Sequence, residues 1–381
     1  MGLTYAMVGG GIGAFIGEVH RKCIALDGSG TLVAGALAST PERSLASAKA
    51  LGLVGDRSYS SWQELVDREA KRPDPVDYVV IVTPNSTHHP IAKACLEAGL
   101  NVVLDKPMTM TSAQARELSH LANEKGLVCA VTYTYSGYPM IREAAELVRS
   151  GVLGRLRRVE VNYIQGWLAQ GLESTGHKQA SWRLDPTQAG AGGAIGDIGT
   201  HAEHLASFVT GLEIESLSAE LTSFGEGRVL DDDAMVRVRY AGGVKGTLNI
   251  SQICIGEENR ITLGVFGERG SLWWSHEQPN DLRLSTLSEG TRLLTRGQPT
   301  LSDRARAAAR TPPGHAEGYL EAFANIYRGV AELIRARKLG TPIGPLGRDV
   351  PGPGAGLAGM RFVERVVESA QSDGAWIPFA G

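Results

Sequence analysis

The stretch best equipped for chemistry is Gly190-Ala-Gly-Gly-Ala-Ile-Gly-Asp-Ile-Gly-Thr-His201, where an acid, Asp197, and an imidazole, His201, stand four residues apart behind a run of glycines. Glycine lets backbone approach a ligand closely, and the apolar spacing of Ala202, Leu205, Ala206, Phe208 and Val209 predicts a helix beginning near Ile198. Asp197 and His201 then share one helix face. In the first turn the helix dipole favours the carboxylate as an anion and disfavours an imidazolium, which leaves His201 able to accept a proton. Acid/base chemistry is one reading; the other is structural, with Asp197 capping the helix and His201 packed beneath it. A metal reading is weaker, because His204 lies three residues from His201 instead of the four of a His-Glu-x-x-His zinc site and no fourth ligand is apparent. No metal is expected.

A second group of residues fits a nucleotide. Residues 5–8 read as a short apolar strand that runs into Gly9-Gly-Gly-Ile-Gly-Ala14, and residues 15–26 carry a helical pattern. Strand, glycine turn and helix in this order, with the spacing Gly9-x-Gly11-x-x-Ala14, match the dinucleotide fingerprint, in which the helix N-terminus faces the pyrophosphate. Gly9, Gly11, Ile12, Gly13 and Ala14 are the candidate contacts. NAD-specific domains carry an acid at the end of the second strand, whose charge repels a 2′-phosphate. Here that strand, residues 32–38, ends in Ser39, followed by Thr40 and, one helical turn on, Arg43. Hydroxyls that donate to a phosphate and a guanidinium that pairs with it predict NADP as the preferred cofactor and NAD as a second one, with Glu42 the competing charge on the same turn.

The elements that must hold these groups alternate. Helices over residues 41–51 and 61–68, a strand over 77–83, a helix over 87–98, a strand over 101–104, a helix over 111–125 and a strand over 127–134 describe a doubly wound parallel sheet, complete near residue 130. Ligands of such sheets gather at the carboxyl ends of the strands. Two loops lie there: Thr83-Pro84-Asn85-Ser-Thr-His88, and Asp105-Lys106-Pro107, where Lys106 is placed to put its ammonium beside a nicotinamide and a substrate or, alternatively, is a solvated loop lysine.

After residue 130 the pattern changes. A helix over 140–150 precedes strands over 156–163, 216–224, 234–240, 244–255, 260–266 and 271–274, most of which follow one another without helices between, as in an antiparallel sheet. Residues 289–313 are arginine-rich and lack a pattern, which predicts a mobile loop; with the following Gly314-His315 it either closes over a ligand or is an ordinary surface loop. Helices over 318–338 and 357–372 complete a second domain, residues 131–381, of which the final helix could return to the first.

Composition narrows the functions. With 43% hydrophobic and 21% charged residues and a net charge of -3, the 381-residue chain is that of a soluble globular protein with no bias towards nucleic acid or membrane, and a cytoplasmic location is expected. The four cysteines form no Cys-x-x-Cys pair, so buried, reduced thiols are expected.

Taken together, Val8-Gly-Gly-Gly-Ile-Gly, the Thr83 to His88 loop, Lys106-Pro107 and Gly193-x-x-x-Asp197-x-x-x-His201 preceded by Ser181-Trp-Arg183 resemble the glucose-fructose oxidoreductase, inositol dehydrogenase and MocA family of nicotinamide-dependent sugar and polyol oxidoreductases. The resemblance implies a Rossmann domain followed by an α+β domain with an open-faced, mainly antiparallel sheet, and an active site in the cleft between them. By the same analogy Lys106 positions the substrate hydroxyl, His201 is the general base and Asp197 orients both. Two departures are Asp105, where the family usually has Glu, and Ala14 or the extra Gly13 at the third fingerprint position. Trp167, Lys178, Trp182, Arg183 and His315 are the candidate contacts of a sugar ring, with core packing the alternative reading of Trp167 and Trp182. The expected assembly is a homodimer or homotetramer through the second domain's sheet. The competing function is a cofactor-binding regulator without activity.

Overall fold

In a computed structural model, which describes residues 2–53, 55–172 and 182–380, the chain divides into two units, the first comprising Met1–Thr134 with Tyr319–Leu357 and the second Tyr135–Gly318 with Ala358–Gly381. The first unit is built on five short apolar strands, β1 (Thr4–Gly9), β2 (Thr31–Ala36), β3 (Tyr78–Val82), β4 (Asn101–Leu104) and β5 (Cys129–Val131), all parallel and in the order β2-β1-β3-β4-β5. Every residue of β3 is buried, as a strand covered on both faces must be. The crossovers are α1 (Phe15–Leu26), α2 (Pro41–Ala50), α3 (Trp62–Ala70), α4 (Asn85–Glu97) and α5 (Ser112–Glu124). Thr40, Ser61 and Thr111 cap α2, α3 and α5, each hydroxyl accepting an N–H three residues on. The strand order turns back between β1 and β3, the switch point at which sheets of this kind bind their ligands.

The second unit begins with α6 (Pro139–Arg149) and β6 (Leu156–Ile164), continues through α7 (Pro186–Ala189), a π-helical turn (Ile195–Gly199) and α8 (Thr200–Thr210), and then enters β7 (Ile214–Thr222), β8 (Asp233–Tyr240), β9 (Lys245–Ser251), β10 (Arg260–Gly267) and β11 (Gly270–Ser275). With β12 (Asp281–Thr286), β13 (Gly290–Thr295) and the terminal β14 (Ile377–Pro378) these form a nine-stranded sheet in the order β13-β12-β11-β10-β6-β9-β8-β7-β14, antiparallel at every junction except β6 with β9. Helix α8 packs on β6, β9 and β10. The strands alternate accordingly: Ala234, Val236, Val238 and Tyr240 of β8 are buried, while Met235, Arg237 and Arg239 face away.

Residues 289–313 are not the pattern-free loop expected from the sequence. They contain β13 and α9 (Asp303–Ala308), and β13 is exposed along most of its length, so edge pairing with β12 makes it a strand without the alternation that burial would impose. Arg296, 3% exposed, donates to the carbonyls of Thr311, Pro312 and His315, to Asn280 and to the buried Glu317. A segment pinned at these points is not poised to close as a lid, and the His315 side chain stands exposed upon it.

The chain then returns to the first unit through α10 (Tyr319–Leu339), whose Phe323, Tyr327, Val330 and Ile334 join Val19, Cys23 and Ile24 of α1 and Tyr5, Val80 and Val103 of the sheet in one core. Two consecutive domains divided at residue 130 therefore do not describe the fold. Of the final helix, α11 (Pro353–Gln371), only Pro353–Leu357 falls in the first unit. Cys23, Cys95 and Cys129 are buried and, with Cys254, carry free thiols; burial pushes the thiols of Cys95 and Cys129 up to about 12. No helix among the described residues is long and apolar enough to cross a membrane.

Helix α1 lies directly on the glycine turn. A Cβ on Gly17 would stand 2.3 Å from the Gly10 Cα, a contact between backbones that no flexible atom can relieve. Gly17→Ala is expected to destabilise the fold by about 1–3 kcal/mol, the usual range for overpacking. Urea denaturation checks it; an unchanged midpoint would show that the helix can lift off the turn freely.

Candidate active site

In the first unit the Gly9 to Ala14 turn is shaped by its neighbours. Gly9 has φ +79°, and its Cβ would meet the Val82 carbonyl at 2.8 Å; at Gly11 the obstacle is the Leu37 carbonyl, 2.6 Å away, which accepts the Gly11 N–H. Gly13, at φ +78°, faces open space, so glycine there serves only the backbone angle. Ala14, at the N-cap of α1, makes no side-chain capping hydrogen bond, which leaves the first N–H groups of the helix without a cap from it. The close helix packing that the third fingerprint glycine usually provides falls to Gly17, which sequence reasoning passed over because it lies inside the helical pattern. Ile12 is 62% exposed on the same turn. These features suit an anionic dinucleotide laid against the N-terminus of α1.

The second strand ends at Ala36, two residues short of expectation, because Ser44 Oγ takes the Leu37 N–H at 2.8 Å and Gly11 takes its carbonyl. Thr40 caps α2, while Ser39 and Arg43 are exposed. In the Thr83-Pro84 loop Thr83 Oγ1 pairs with Thr87 at 2.7 Å, and Asn85 is buried at the start of α4. His88, at the end of this loop and within α4, is buried, with Nδ1 2.9 Å from the Pro107 carbonyl and Nε2 2.9 Å from the Thr83 carbonyl, so it ties the two loops together. Burial holds its pKa below the ordinary value, opposed by the nearby Asp105.

Asp105 likewise supports the loop. Its Oδ1 accepts the Lys106 N–H at 2.9 Å and the Thr132 hydroxyl at 3.0 Å and lies 3.8 Å from Nε2 of buried His20, whose other nitrogen meets the Tyr327 hydroxyl. Burial alone would raise the carboxyl; His20, Lys106 and His88 outweigh it and hold the group well below the usual range. The Lys106–Pro107 peptide is cis.

In the second unit the helix begins earlier than Ile198, with Asp197 inside the π turn and His201 at the second residue of α8. Four residues remain close to a full turn in either geometry, so the two still share a face. Asp197 Oδ2 accepts Gln252 Nε2 at 3.0 Å and pairs with Arg183 Nε at 3.3 Å, and the Arg183 guanidinium lies over the Trp182 ring, 4.3 Å from its centroid. His201, 7% exposed, meets the edge of Tyr135 at 5.0 Å between ring centroids. The Tyr135 hydroxyl pairs with Tyr163 at 2.6 Å, both reach Asn259, and Asn259 Oδ1 accepts from Gln165. Gln165 in turn receives the Trp167 indole N–H at 3.1 Å. His276 extends this wall through Tyr138, 3.1 Å from its hydroxyl.

Sequence reasoning missed Tyr135, Tyr163, Asn259 and Gln252 as members of the site. Their one signal is polar side chains at positions the strand pattern turns inward, such as Tyr163 of β6 and Gln252 just past β9. Of the expected ring contacts, Arg183, Trp182 and Trp167 join the network around Asp197, His315 stands on the Arg296-pinned loop, and Lys178 lies outside the described residues. Lys106 belongs to the first unit, Asp197 and His201 to the second.

Residues 3–133 match the oxidoreductase family with an NAD-binding Rossmann fold, and residues 141–273 match the GFO/IDH/MocA C-terminal domain. The chain belongs to the GFO/IDH/MocA family of oxidoreductases. It is 34% identical over 380 residues to the uncharacterized oxidoreductase YfiI of Bacillus subtilis, covering 99% of this chain and 97% of YfiI. An inositol dehydrogenase homologue from Azotobacter vinelandii, solved with NAD+, superimposes with a TM-score of 0.93 at 35% identity over 99% of this chain and 97% of that one; the same protein has been solved with NADH and myo-inositol. Levoglucosan dehydrogenase of Pseudarthrobacter phenanthrenivorans is 27% identical over 318 residues, 75% of this chain and 77% of that enzyme. The family's Rossmann sheet and mainly antiparallel second sheet are both present.

Beneath the site of this family member, Glu203 and His204 are buried on α8. Burial pushes the Glu203 carboxyl up to about 8, with the Ser207 hydrogen bond opposing, and pushes His204 down to about 3. An acid whose folded pKa is raised binds its proton more tightly folded than unfolded, so Glu203 lowers stability as pH rises from about 4.5 to 8, by up to about tenfold in the folding constant per pH unit. Glu203→Gln should therefore stabilise the protein at pH 8 and not at pH 4.5. Urea midpoints at both values decide it, and a gain that is the same at each would mean that Glu203 is not protonated in the fold.

Proposed function

We propose that the protein is an NAD(H)-dependent dehydrogenase that oxidises a secondary hydroxyl of a sugar or polyol. The observation that carries this reading is the wall around Asp197 and His201, in which tyrosine hydroxyls, two glutamines, an asparagine and an arginine gather beside the His201 imidazole. Alternating donors and acceptors of this kind match a ring that bears several hydroxyls. The relatives that bind myo-inositol or are named for levoglucosan support the same substrate class.

His201 is the base that takes the hydroxyl proton. Asp197, held by Gln252 and Arg183, keeps an acceptor pointed along the same face, so a substrate hydroxyl is oriented before its proton is lost. Lys106, on the loop that Asp105 and His88 brace, supplies a cation that stabilises the developing alkoxide. The Gly9 to Ala14 turn and the N-terminus of α1 would hold the dinucleotide, which when bound accepts the hydride from the alcohol carbon. His201→Ala and Lys106→Ala are each expected to lower kcat by roughly 10² to 10⁴, the range for positioned acid–base groups, in a coupled assay with myo-inositol and a panel of sugars. Near-wild-type turnover in both would overturn the assignment.

NAD(H) replaces NADP as the cofactor of this reading. The solved relatives hold NAD+ or NADH, the Thr40 hydroxyl serves as a helix cap, and Glu42 adds a negative charge to the first turn of α2, which disfavours a further phosphate there. Specificity constants for the two cofactors should favour NAD, and a preference for NADP would restore the role first read into Ser39 and Arg43. The open face of the second sheet, where Met235 is 59% exposed, is the surface through which we place a homodimer or homotetramer. Light scattering of wild type and Met235→Lys tests it, since the substitution should dissociate the assembly.

A further inference from the structure

The first turn of the helix that carries Asp197 and His201 ends on one residue far away in the chain. Asp231, 6% exposed and two positions before β8, accepts the Gly193 N–H on Oδ1 at 2.7 Å and the Ile195 N–H on Oδ2 at 2.7 Å, while its carbonyl accepts the Ala194 N–H at 2.8 Å. Three consecutive N–H groups that a helix start leaves without intrahelical partners are thus all satisfied by one residue. The approach is close: a Cβ on Gly193 would stand 2.1 Å from the Asp231 carbonyl oxygen, which explains why glycine occupies that position. From Gly193 the helix runs on directly, since its carbonyl accepts the Asp197 N–H at 2.9 Å.

Asp232, adjacent and wholly buried, turns the other way. Its carboxylate accepts the Phe224 and Gly225 N–H groups at 2.9 Å each and pairs with Arg228 at 2.8 Å, all in the β7–β8 connection. Both acids are buried, and they differ in what they hold.

We propose that Asp231 is a positioning residue for the reaction: its carboxylate and carbonyl clamp the glycine run and so set where Asp197 and His201 stand. A π turn lies between the clamp and His201, and such a turn can relax towards regular helix if its start is released, which would rotate the imidazole relative to the wall of Tyr135 and Tyr163. Displacement of reacting groups by about 1 Å is enough to reduce a rate by about 10²-fold.

This inference rests on the reading of His201 as the base, and the test separates the two. Asp231→Asn keeps shape and volume but replaces one acceptor by a donor that faces a backbone N–H. It is expected to shift the titration of the His201 imidazole, followed by NMR in the cofactor-free protein, and to lower kcat roughly 10- to 100-fold while NADH affinity stays within about twofold. Asp231→Glu, which retains both acceptors but lengthens the strut by one methylene, should keep the fold and still lower kcat. Asp232→Asn should lower the urea midpoint and leave the His201 titration unmoved. A His201 titration and kcat unchanged in Asp231→Asn, or in Asp231→Glu should the first variant not fold, overturns the proposal, as does an equal His201 shift in Asp232→Asn. Wild-type turnover in His201→Ala would sink the base assignment alone, because the titration reports the clamp whatever His201 does.

Discussion

Backbone resting on backbone, with no side chain between, is the constraint on which both halves of this protein depend. Gly17 lies on Gly10, Gly9 on the Val82 carbonyl, Gly11 on the Leu37 carbonyl and Gly193 on the Asp231 carbonyl. Each contact brings a chain segment within hydrogen-bonding distance of another that side chains would hold apart. In the first unit the result is a turn that draws the end of β1 against the ends of β2 and β3. In the second it is a helix start whose N–H groups reach an acid 36 and 38 residues later in the chain. Glycine in an element interior is destabilising by itself, so these positions are stable only because the contacts they permit are made.

Carboxyls drawn away from water are handled in two contrasting ways. Asp105 is surrounded by His20, Thr132, His88 and the Lys106 N–H and stays well ionised; Glu203, with Ser207 as its partner, is driven towards its neutral form. The difference follows from partners, since burial pushes both carboxyls in the same direction. It also divides their tasks. Asp105 braces the loop that bears Lys106, whereas Glu203 sits on α8 and burdens stability at high pH.

Arg296 and Glu317 show how a stretch with the composition of a loop becomes rigid. The guanidinium gathers three main-chain carbonyls and a carboxylate, and Glu317 also accepts the N–H groups of Arg310 and Thr311. These bonds are made just before the chain leaves the second unit for α10, whose aromatic side chains complete the core of the first. Breaking such a buried pair by removing one partner leaves the other charge uncompensated, which is why polar composition alone is a poor guide to mobility here.

Local sequence determined the elements and their order: the alternation that builds the parallel sheet, the glycine turn, the spacing that places Asp197 and His201 on one face, and the later run of strands. These depend on periodicity and backbone preference, which neighbouring residues settle among themselves. Tertiary structure alone decided that α10 belongs with the nucleotide-binding sheet, that Gly17 and not Ala14 is the packing position, that His88 spans two loops, and that Gln252, Tyr135 and Asn259 stand around Asp197 and His201. It also decided that the arginine-rich segment pairs as β13 and is pinned. Each of these rests on a contact between residues distant in the chain, and neither the period of a helix nor the composition of a loop specifies which distant surface it will meet.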